Sequence, residues 1–209
     1  MGGEIASRLS EDRTIEYFGP ADLKAKVDVV IDFSSPDGTA LITAWCQKNK
    51  VALVSGTTGL SPLQEKELVI ASKEIPVFRS PNMSLGLNGM IEALKTFCQE
   101  FSEGEVVIEE THHKNKKDSP SGTAKLLHHI VRENVKPEVK VSEPVSFRVG
   151  EVFGVHKVSF IGGGEVVNFE HQALSRGIFA QGAIHAAKWL VGKGPGLYSM
   201  EDMLRGQKP

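Results

Sequence analysis

KVDVVIDF, residues 26 to 33, is a near-continuous apolar run that ends in a polar turn, the pattern of a parallel strand buried on both faces. A helix is expected next. Pro36 suits its first turn, and Ala40, Leu41, Ala44 and Trp45 recur at helical spacing up to Lys48-Asn49-Lys50. VALVS (51–55) is then a second buried strand, LQEKELVIASKE (63–74) repeats the helical period, and IPVFRS (75–80) supplies a third strand. This βαβαβ order is the half-unit of a doubly wound nucleotide-binding fold. Right-handed crossovers make the three strands parallel, with their carboxyl ends on one edge. Ser34-Ser35, Ser55-Gly56-Thr57-Thr58 and Ser80-Pro81-Asn82 lie at that edge, where such sheets bind ligands.

Downstream, residues 84 to 101 read as a helix, and then the pattern changes. EVVIEETHH (105–113), VSFRVG (145–150), HKVSFIG (156–162) and EVVNFEHQA (165–173) are strand-like, several with alternation, so a mixed or antiparallel sheet is expected. Helices at 121–134 and at about 177–191 interrupt and close this part. The fold class is therefore α/β, a Rossmann-like parallel-sheet domain followed by an α+β domain with a mixed sheet. No repeat or charge-rich linker separates the two.

Composition narrows the function classes. With 209 residues, one large or two small domains fit, and 40% hydrophobic with 24% charged residues excludes a disordered, collagen-like or coiled-coil chain. Lys+Arg 24 against Asp+Glu 26 gives a net charge of -2, which offers no general basic field for nucleic acid. Cys46 and Cys98 both fall in helix-like segments and read as buried free thiols in a reducing compartment. No apolar run approaches the roughly 18 residues of a membrane span, and MGGEIASRLSEDR has charges where a signal peptide needs an apolar stretch. A cytoplasmic protein with no membrane partner is the expectation.

Ser55-Gly56-Thr57-Thr58-Gly59 follows a strand and precedes a helix, where small residues let backbone N–H groups approach a phosphate or ribose. Such a turn is also common as a plain turn, but Ser80-Pro81-Asn82-Met83 has the same placement on the next strand, and two turns on one edge favour a shared ligand. The densest chemistry is Glu110-Thr111-His112-His113-Lys114-Asn115-Lys116-Lys117-Asp118-Ser119-Pro120-Ser121-Gly122-Thr123-Ala124. Histidines at a strand end titrate near neutral pH, lysines hold carboxylates, and Ser121-Gly122-Thr123 opens a helix whose free N–H groups complement an anion. The bland alternatives are a solvated basic loop capped by Ser121, or a polyanion patch using Lys114, Lys116 and Lys117. The acidic flanks Glu109, Glu110 and Asp118 and the lack of stacking aromatics oppose the latter. Seven histidines raise the question of a metal, but adjacent His112 and His113 point to opposite faces of a strand and no HExxH or CxxC pair occurs, so none is expected.

The long loop, E-T-H-H-x-x-K-x-D-S-P-S-G-T-A, resembles the signature of bacterial 4-hydroxy-tetrahydrodipicolinate reductases, also called dihydrodipicolinate reductases. The resemblance extends to DVVIDFSSP (28–36), SGTTGL (55–60), SPNMSLGLN (80–88), FIGGGEVVNFEHQALSR (160–176) and FAQGAIHAAKWLVGKGPGLYSMEDML (179–204), nearly the whole chain. It implies a dinucleotide-binding domain over 1–83 for NADH or NADPH, a substrate-binding and oligomerisation domain over 84–176, and C-terminal helices over 177–209 that pack back on the first. It also implies a homotetramer and a cyclic dicarboxylate substrate in the diaminopimelate route to lysine. Carried over by motif position, His112 is the catalytic proton donor or acceptor and Lys116 its partner, while His113, Gly122 and Thr123 hold substrate. Gly56, Thr57, Thr58, Ser80, Pro81, Asn82 and Met83 line the dinucleotide. The alternative is an inactive or regulatory nucleotide-binding relative that keeps the substrate loop.

One departure from the family pattern stands out. Members begin with a strand and a G-x-x-G-R-M-G turn, whereas Met1-Gly2-Gly3-Glu4-Ile5 looks like the tail of that turn and the helix after it, so the first strand is expected to be lacking. IEYFGP (15–20) is short where the family reads the ribose, which leaves NADH and NADPH both open.

Overall fold

Hydroxyl-then-proline pairs set the helix starts of the first sheet and so fix its spacing. In the computed structural model, which describes residues 1–11, 16 and 26–206, the expected run is β1 (Val29–Asp32), α2 (Pro36–Asn49), β2 (Ala52–Ser55), α3 (Pro62–Ala71) and β3 (Pro76–Arg79), preceded by helix α1 (Gly2–Glu11). Ser35 caps α2 by accepting from the Gly38 N–H, and Ser61 and Gln64 form a capping box on α3. Pro36 and Pro62 open those helices without an N–H to leave unsatisfied. Of the segment 15–20 only Glu16 is described, so what the sequence suggests about ribose recognition there lies outside the described residues.

The strands pair in parallel, with Val29 opposite Ala52 and Leu53 opposite Val77. A three-residue strand that periodicity does not signal, β9 (Gly196–Tyr198), adds in parallel to β3, so the order is β1-β2-β3-β9. Alternate residues feed two cores. Val54 and Phe78 pack with Ile5 and Leu9 of α1 and with Ala180, Ala183, Ala187 and Leu190 of helix α6 (Gly177–Leu190), while Leu53 and Val77 pack with Cys46 of α2 and Leu68 of α3. Burial on both faces is what the unbroken apolar strands required. Small residues let α6 come close. At Gly182 a Cβ would stand 1.7 Å from the Met83 carbonyl oxygen. Trp189 anchors α6 edge-on to Phe78 at 6.1 Å and Tyr198 at 5.4 Å, contacts that contribute about 0.5–1.5 kcal/mol each beyond burial. Helix α7 (Met200–Arg205) is capped by Ser199 and Asp202.

The chain divides into two compact units, Met1–Leu85 with Arg176–Pro209, and Gly86–Ser175. The second holds most of α4 (Leu85–Glu100), then β4 (Glu105–His112), α5 (Gly122–Asn134), β5 (Lys140–Val141), β6 (Val145–Arg148), β7 (Val155–Gly162) and β8 (Glu165–Gln172). Strand β4 is central, parallel to β5 and β6 and antiparallel to β7, which in turn pairs antiparallel with β8. This is the mixed sheet expected from the sequence. Leu87, Leu94, Val106, Ile108, Leu127, Val158 and Phe160 form its core with α4 and α5. Cys46 and Cys98 are buried and free, and burial pushes their thiols up to about 12 and about 11. No helix among the described residues is long and apolar enough to cross a membrane.

Candidate active site

Strand β4 turns one row of side chains inward: Val106, Ile108, Glu110 and His112. The row begins apolar and ends ionisable. Period-two alternation therefore delivers a carboxylate and an imidazole, two residues apart, to the same buried face at the carboxyl end of the strand. Glu110 is 1% exposed and His112 8%.

A buried carboxylate needs donors. Glu110 Oε1 accepts from Arg148 Nη2 at 2.7 Å and from the Ser121 backbone N–H at 3.2 Å, while Oε2 meets His112 Nδ1. Burial raises the Glu110 pKa, but these bonds, led by Arg148, outweigh it and hold the carboxyl at about 2. An ionised carboxylate can only accept, so His112 Nδ1 carries a proton and Nε2 is the nitrogen left for chemistry. At Gly154 a Cβ would stand 2.9 Å from that Nε2, so glycine there leaves it uncovered. Burial lowers the His112 pKa below its ordinary value, Glu110 opposes this, and Lys116 and Arg148 add to the lowering. The imidazole rests neutral at pH 7.

Ser121 joins this cluster to helix α5. Its Oγ accepts from the Ala124 N–H at 3.2 Å as N-cap and lies 3.3 Å from His156 Nε2. His156, on β7 opposite Glu110, is 5% exposed and packs edge-on against His112 with ring centroids 5.1 Å apart. Burial, and next to it repulsion from His112 whenever that ring is protonated, lowers its pKa to about 4. A neutral His156 accepts the Ser121 hydroxyl proton on Nε2, which leaves its Nδ1 buried without a hydrogen-bond partner among the described residues.

The loop after β4 carries the other residues that the sequence singled out. His113 is half-buried, just past the end of β4, with its backbone N–H bound to the Val152 carbonyl at 2.7 Å. Lys116 Nζ pairs with Asp118 Oδ1 at 2.8 Å, and that contact draws the Asp118 pKa below its usual value. Gly122 is exposed and Thr123 half-buried in the first turn of α5. Sequence reasoning missed Arg148 and His156 as members of the site. Arg148 lies on β6, in register with His112, but nothing in the local pattern VSFRVG announces the pairing. Glu110 was visible only as an acidic flank.

Glu110, His112 and His156 also bring ligand atoms within 4.8 Å of one another, a spacing that a metal ion could use. The Arg148 guanidinium on Glu110 and Lys116 nearby place positive charge where a cation would have to settle.

The first unit offers a different kind of site. Asp32, 1% exposed at the end of β1, accepts from Ser34 N–H at 3.0 Å, Ser34 Oγ at 2.6 Å, Thr39 Oγ1 at 2.5 Å and Thr57 Oγ1 at 3.0 Å. It ties the turn after β1 to the turn after β2. In the latter, Gly56 is buried under the Phe33 ring, which a Cβ would meet at 2.3 Å, Thr57 is buried, and Thr58 and Gly59 are exposed, with Gly59 at φ +78°. After β3, Ser80 Oγ donates to the Asn82 carbonyl at 2.7 Å, Asn82 Oδ1 accepts from Ser84 N–H at 3.0 Å, Pro81 is exposed and Met83 is sunk in the core. A pyridine dinucleotide fits this set. The exposed turn amides suit an anion, Ser55 Oγ is buried without a partner among the described residues, and at Gly2 and Gly3, in the first turn of α1, nothing stands within 4 Å of a Cβ position.

Comparison with known proteins covers both units. Residues 2–83 match the model for the dihydrodipicolinate reductase N-terminus and residues 86–204 that for its C-terminus. The chain is 46% identical to the 4-hydroxy-tetrahydrodipicolinate reductase of Bdellovibrio bacteriovorus, over 99% of this chain and 93% of the relative. It is 40% identical to that of Caldanaerobacter subterraneus subsp. tengcongensis, over 90% and 81%. The fold matches that of the dipicolinate-bound dihydrodipicolinate reductase from Paenisporosarcina sp. TG-14 with a TM-score of 0.75 at 19% identity, over 95% of this chain and 92% of that one. A dinucleotide-type sheet edge in one unit, a His-Glu pair in the other and relatives spanning both place the chain in the dihydrodipicolinate reductase family.

Proposed function

We propose that this chain reduces 4-hydroxy-tetrahydrodipicolinate to tetrahydrodipicolinate with NADH or NADPH, in the diaminopimelate route to lysine. The observation that carries the proposal is the buried Glu110–His112 pair beside the capped start of α5, with His112 Nε2 uncovered. The substrate is a cyclic dicarboxylate, and the start of α5, where the Gly122 N–H already binds the Asp118 carboxylate, has a dipole that suits one carboxylate near Gly122 and Thr123. His113 and the Lys116 ammonium supply further donors. When bound, the nicotinamide supplies the hydride. Loss of the ring hydroxyl as water and addition of hydride leave an enamine on the substrate, whose carbon then takes a proton. His112 Nε2 delivers it once the arriving dianion has raised the imidazole pKa, and Glu110 holds the resulting imidazolium. Lys116 is the second acid. In the first unit Gly56, Thr57, Thr58, Ser80, Pro81 and Asn82 line the dinucleotide, Met83 contributing backbone. The cation held on Glu110 disfavours a metal, and no metal takes part in the proposal.

The decisive measurement is oxidation of NADH or NADPH that depends on the freshly made condensation product of pyruvate and aspartate semialdehyde. Turnover is expected with at least one cofactor, and its absence with both overturns the proposal. No observation favours the inactive alternative. The enzyme works in the cytoplasm as a homotetramer assembled through the mixed sheets. Supporting this are the two free buried thiols and the exposed Val166 on the outer strand β8. Light scattering at four times the chain mass is expected.

A further inference from the structure

Arg79 is the last residue of β3 and stands in register with Ser55. Each of its three guanidinium nitrogens is engaged. Nε and Nη2 donate to the two carboxylate oxygens of Glu65 at 3.1 and 2.6 Å, and Nη1 donates to the Thr57 carbonyl at 2.9 Å and the Ser55 carbonyl at 3.3 Å. Glu65 stands in the first turn of α3, whose start is fixed by the Ser61–Gln64 capping box. A rigid helix end thus aims a planar fork at the turn after β2.

We infer that Arg79, locked by Glu65, is a positioning residue that sets the Thr57–Thr58 peptide for the dinucleotide. A trans peptide carries its C=O and N–H on opposite sides. With the Thr57 oxygen drawn to Arg79, the Thr58 N–H points the other way, off the strand pairing and into the exposed turn that also holds Gly59. Asp32 fixes the same turn from the opposite flank through Thr57 Oγ1. The turn is therefore pre-set, and the cofactor does not have to order it on binding. A lysine at position 79 would reach one carbonyl but could not also make the two-point contact with Glu65. The inference rests on the assignment of this turn to the dinucleotide.

The test measures NADH and NADPH affinity directly by titration, together with KM and kcat. Arg79→Met is expected to raise the Kd and KM of both cofactors about tenfold, the equivalent of about 1.4 kcal/mol, with kcat at saturating cofactor within about twofold. Glu65→Gln keeps the volume and frees the fork, so it should raise Kd about threefold, and Arg79→Lys should recover part of the loss. Affinity for pyridine-2,6-dicarboxylate without cofactor, a property of the other unit, should stay unchanged and reports a folded chain. Thr58→Asp, an exposed substitution, tests the assignment itself by placing a negative charge against the anionic dinucleotide. Cofactor affinity unmoved by Thr58→Asp overturns that assignment and the inference with it. Affinity lowered by Thr58→Asp but within twofold in Arg79→Met overturns the inference alone, and Glu65→Gln decides in the same way should Arg79→Met fail to fold.

Discussion

Asp32 and Glu110 are both carboxylates 1% exposed at the carboxyl ends of strands, and they are held by opposite means. Asp32 takes four bonds from neutral donors, three hydroxyl and one amide, drawn from the turns after β1 and β2 and from α2. Glu110 takes a guanidinium, an amide and an imidazole. Neutral donors make Asp32 a tie between backbone turns, which leaves those turns free to present amides to a ligand. A cation and an imidazole make Glu110 part of a charge relay in space, in which the state of His112 depends on Glu110 and that of Glu110 on Arg148. A buried acid is thus architectural or chemical according to what surrounds it.

The largest effect expected is at the chemical end. His112→Ala should lower kcat by about 10²- to 10⁴-fold, the usual contribution of a placed general acid, while NADH and NADPH affinities stay as they are. The pH profile sharpens this. Burial lowers the His112 pKa in the free protein, so kcat/KM should fall as pH rises through a value below 6.5, whereas a bound dianion moves the corresponding limb of kcat upward. Coincident limbs would break the assignment of the proton to His112.

Next comes Arg148→Met, which strands Glu110. Removing one member of a buried ion pair costs about 3–5 kcal/mol, read as a shift in the urea midpoint. The sign of the pH dependence follows from the Glu110 pKa, which is held at about 2, below its ordinary value of 4.5. In the unsubstituted chain this stabilisation is fully present above pH 4.5 and is lost as pH falls toward 2. In Arg148→Met the folded-state pKa rises from about 2 toward 4.5, so the loss still starts near pH 4.5 but is smaller and levels off at higher pH. A cost under about 1 kcal/mol would put Glu110 in the same class as Asp32.

His156 gives the third effect. Its pKa of about 4 against 6.5 means that the unfolded chain takes the proton first as pH falls, so stability drops from pH 6.5 downward and levels near pH 4. At 1.36 kcal/mol per pKa unit the full drop is about 3 kcal/mol. His156→Gln, which can still reach Ser121, should flatten that part of the curve of melting temperature against pH. An unchanged slope would assign the acid sensitivity to other groups.

How much of this could be read beforehand differs between the two carboxylates in the same way. The apolar strands at 26–33, 51–55 and 75–80 and the hydroxyls that follow them are local signals, and β1 to β3 with their capped helices appear where those signals stand. Glu110 and His112 share a face because of a local period of two. Arg148, however, reaches Glu110 from 38 residues away, across a parallel pairing of β6 with β4 that only the crossover creates. His156 arrives by antiparallel pairing from β7, and as one of seven histidines it carries no spacing signature. Strand β9 is three residues long, too short for alternation to register, and joins the sheet by tertiary contact. Local patterning yields the elements, while the ionic partners of a buried acid depend on register between strands distant in sequence.

The smallest effect bears on Asp32. Thr57→Val keeps the shape of the side chain and removes one of the four donors, at a bond of 3.0 Å. Three donors remain, all from Ser34 and Thr39, so the carboxylate stays solvated by the protein and no charge is uncovered. The cost should be that of one hydrogen bond with its acceptor still served, about 1 kcal/mol, rather than that of a stranded charge. The turn itself would still be held by Arg79 through the Thr57 carbonyl, which a change of side chain leaves in place. Cofactor affinity should therefore weaken by less than threefold, and pyridine-2,6-dicarboxylate affinity should not move. Urea unfolding and cofactor titration of the same variant measure both. A loss of 3 kcal/mol or more would mean that neutral donors hold a buried carboxylate as critically as Arg148 holds Glu110, and the distinction between a structural and a chemical acid in this protein would fall.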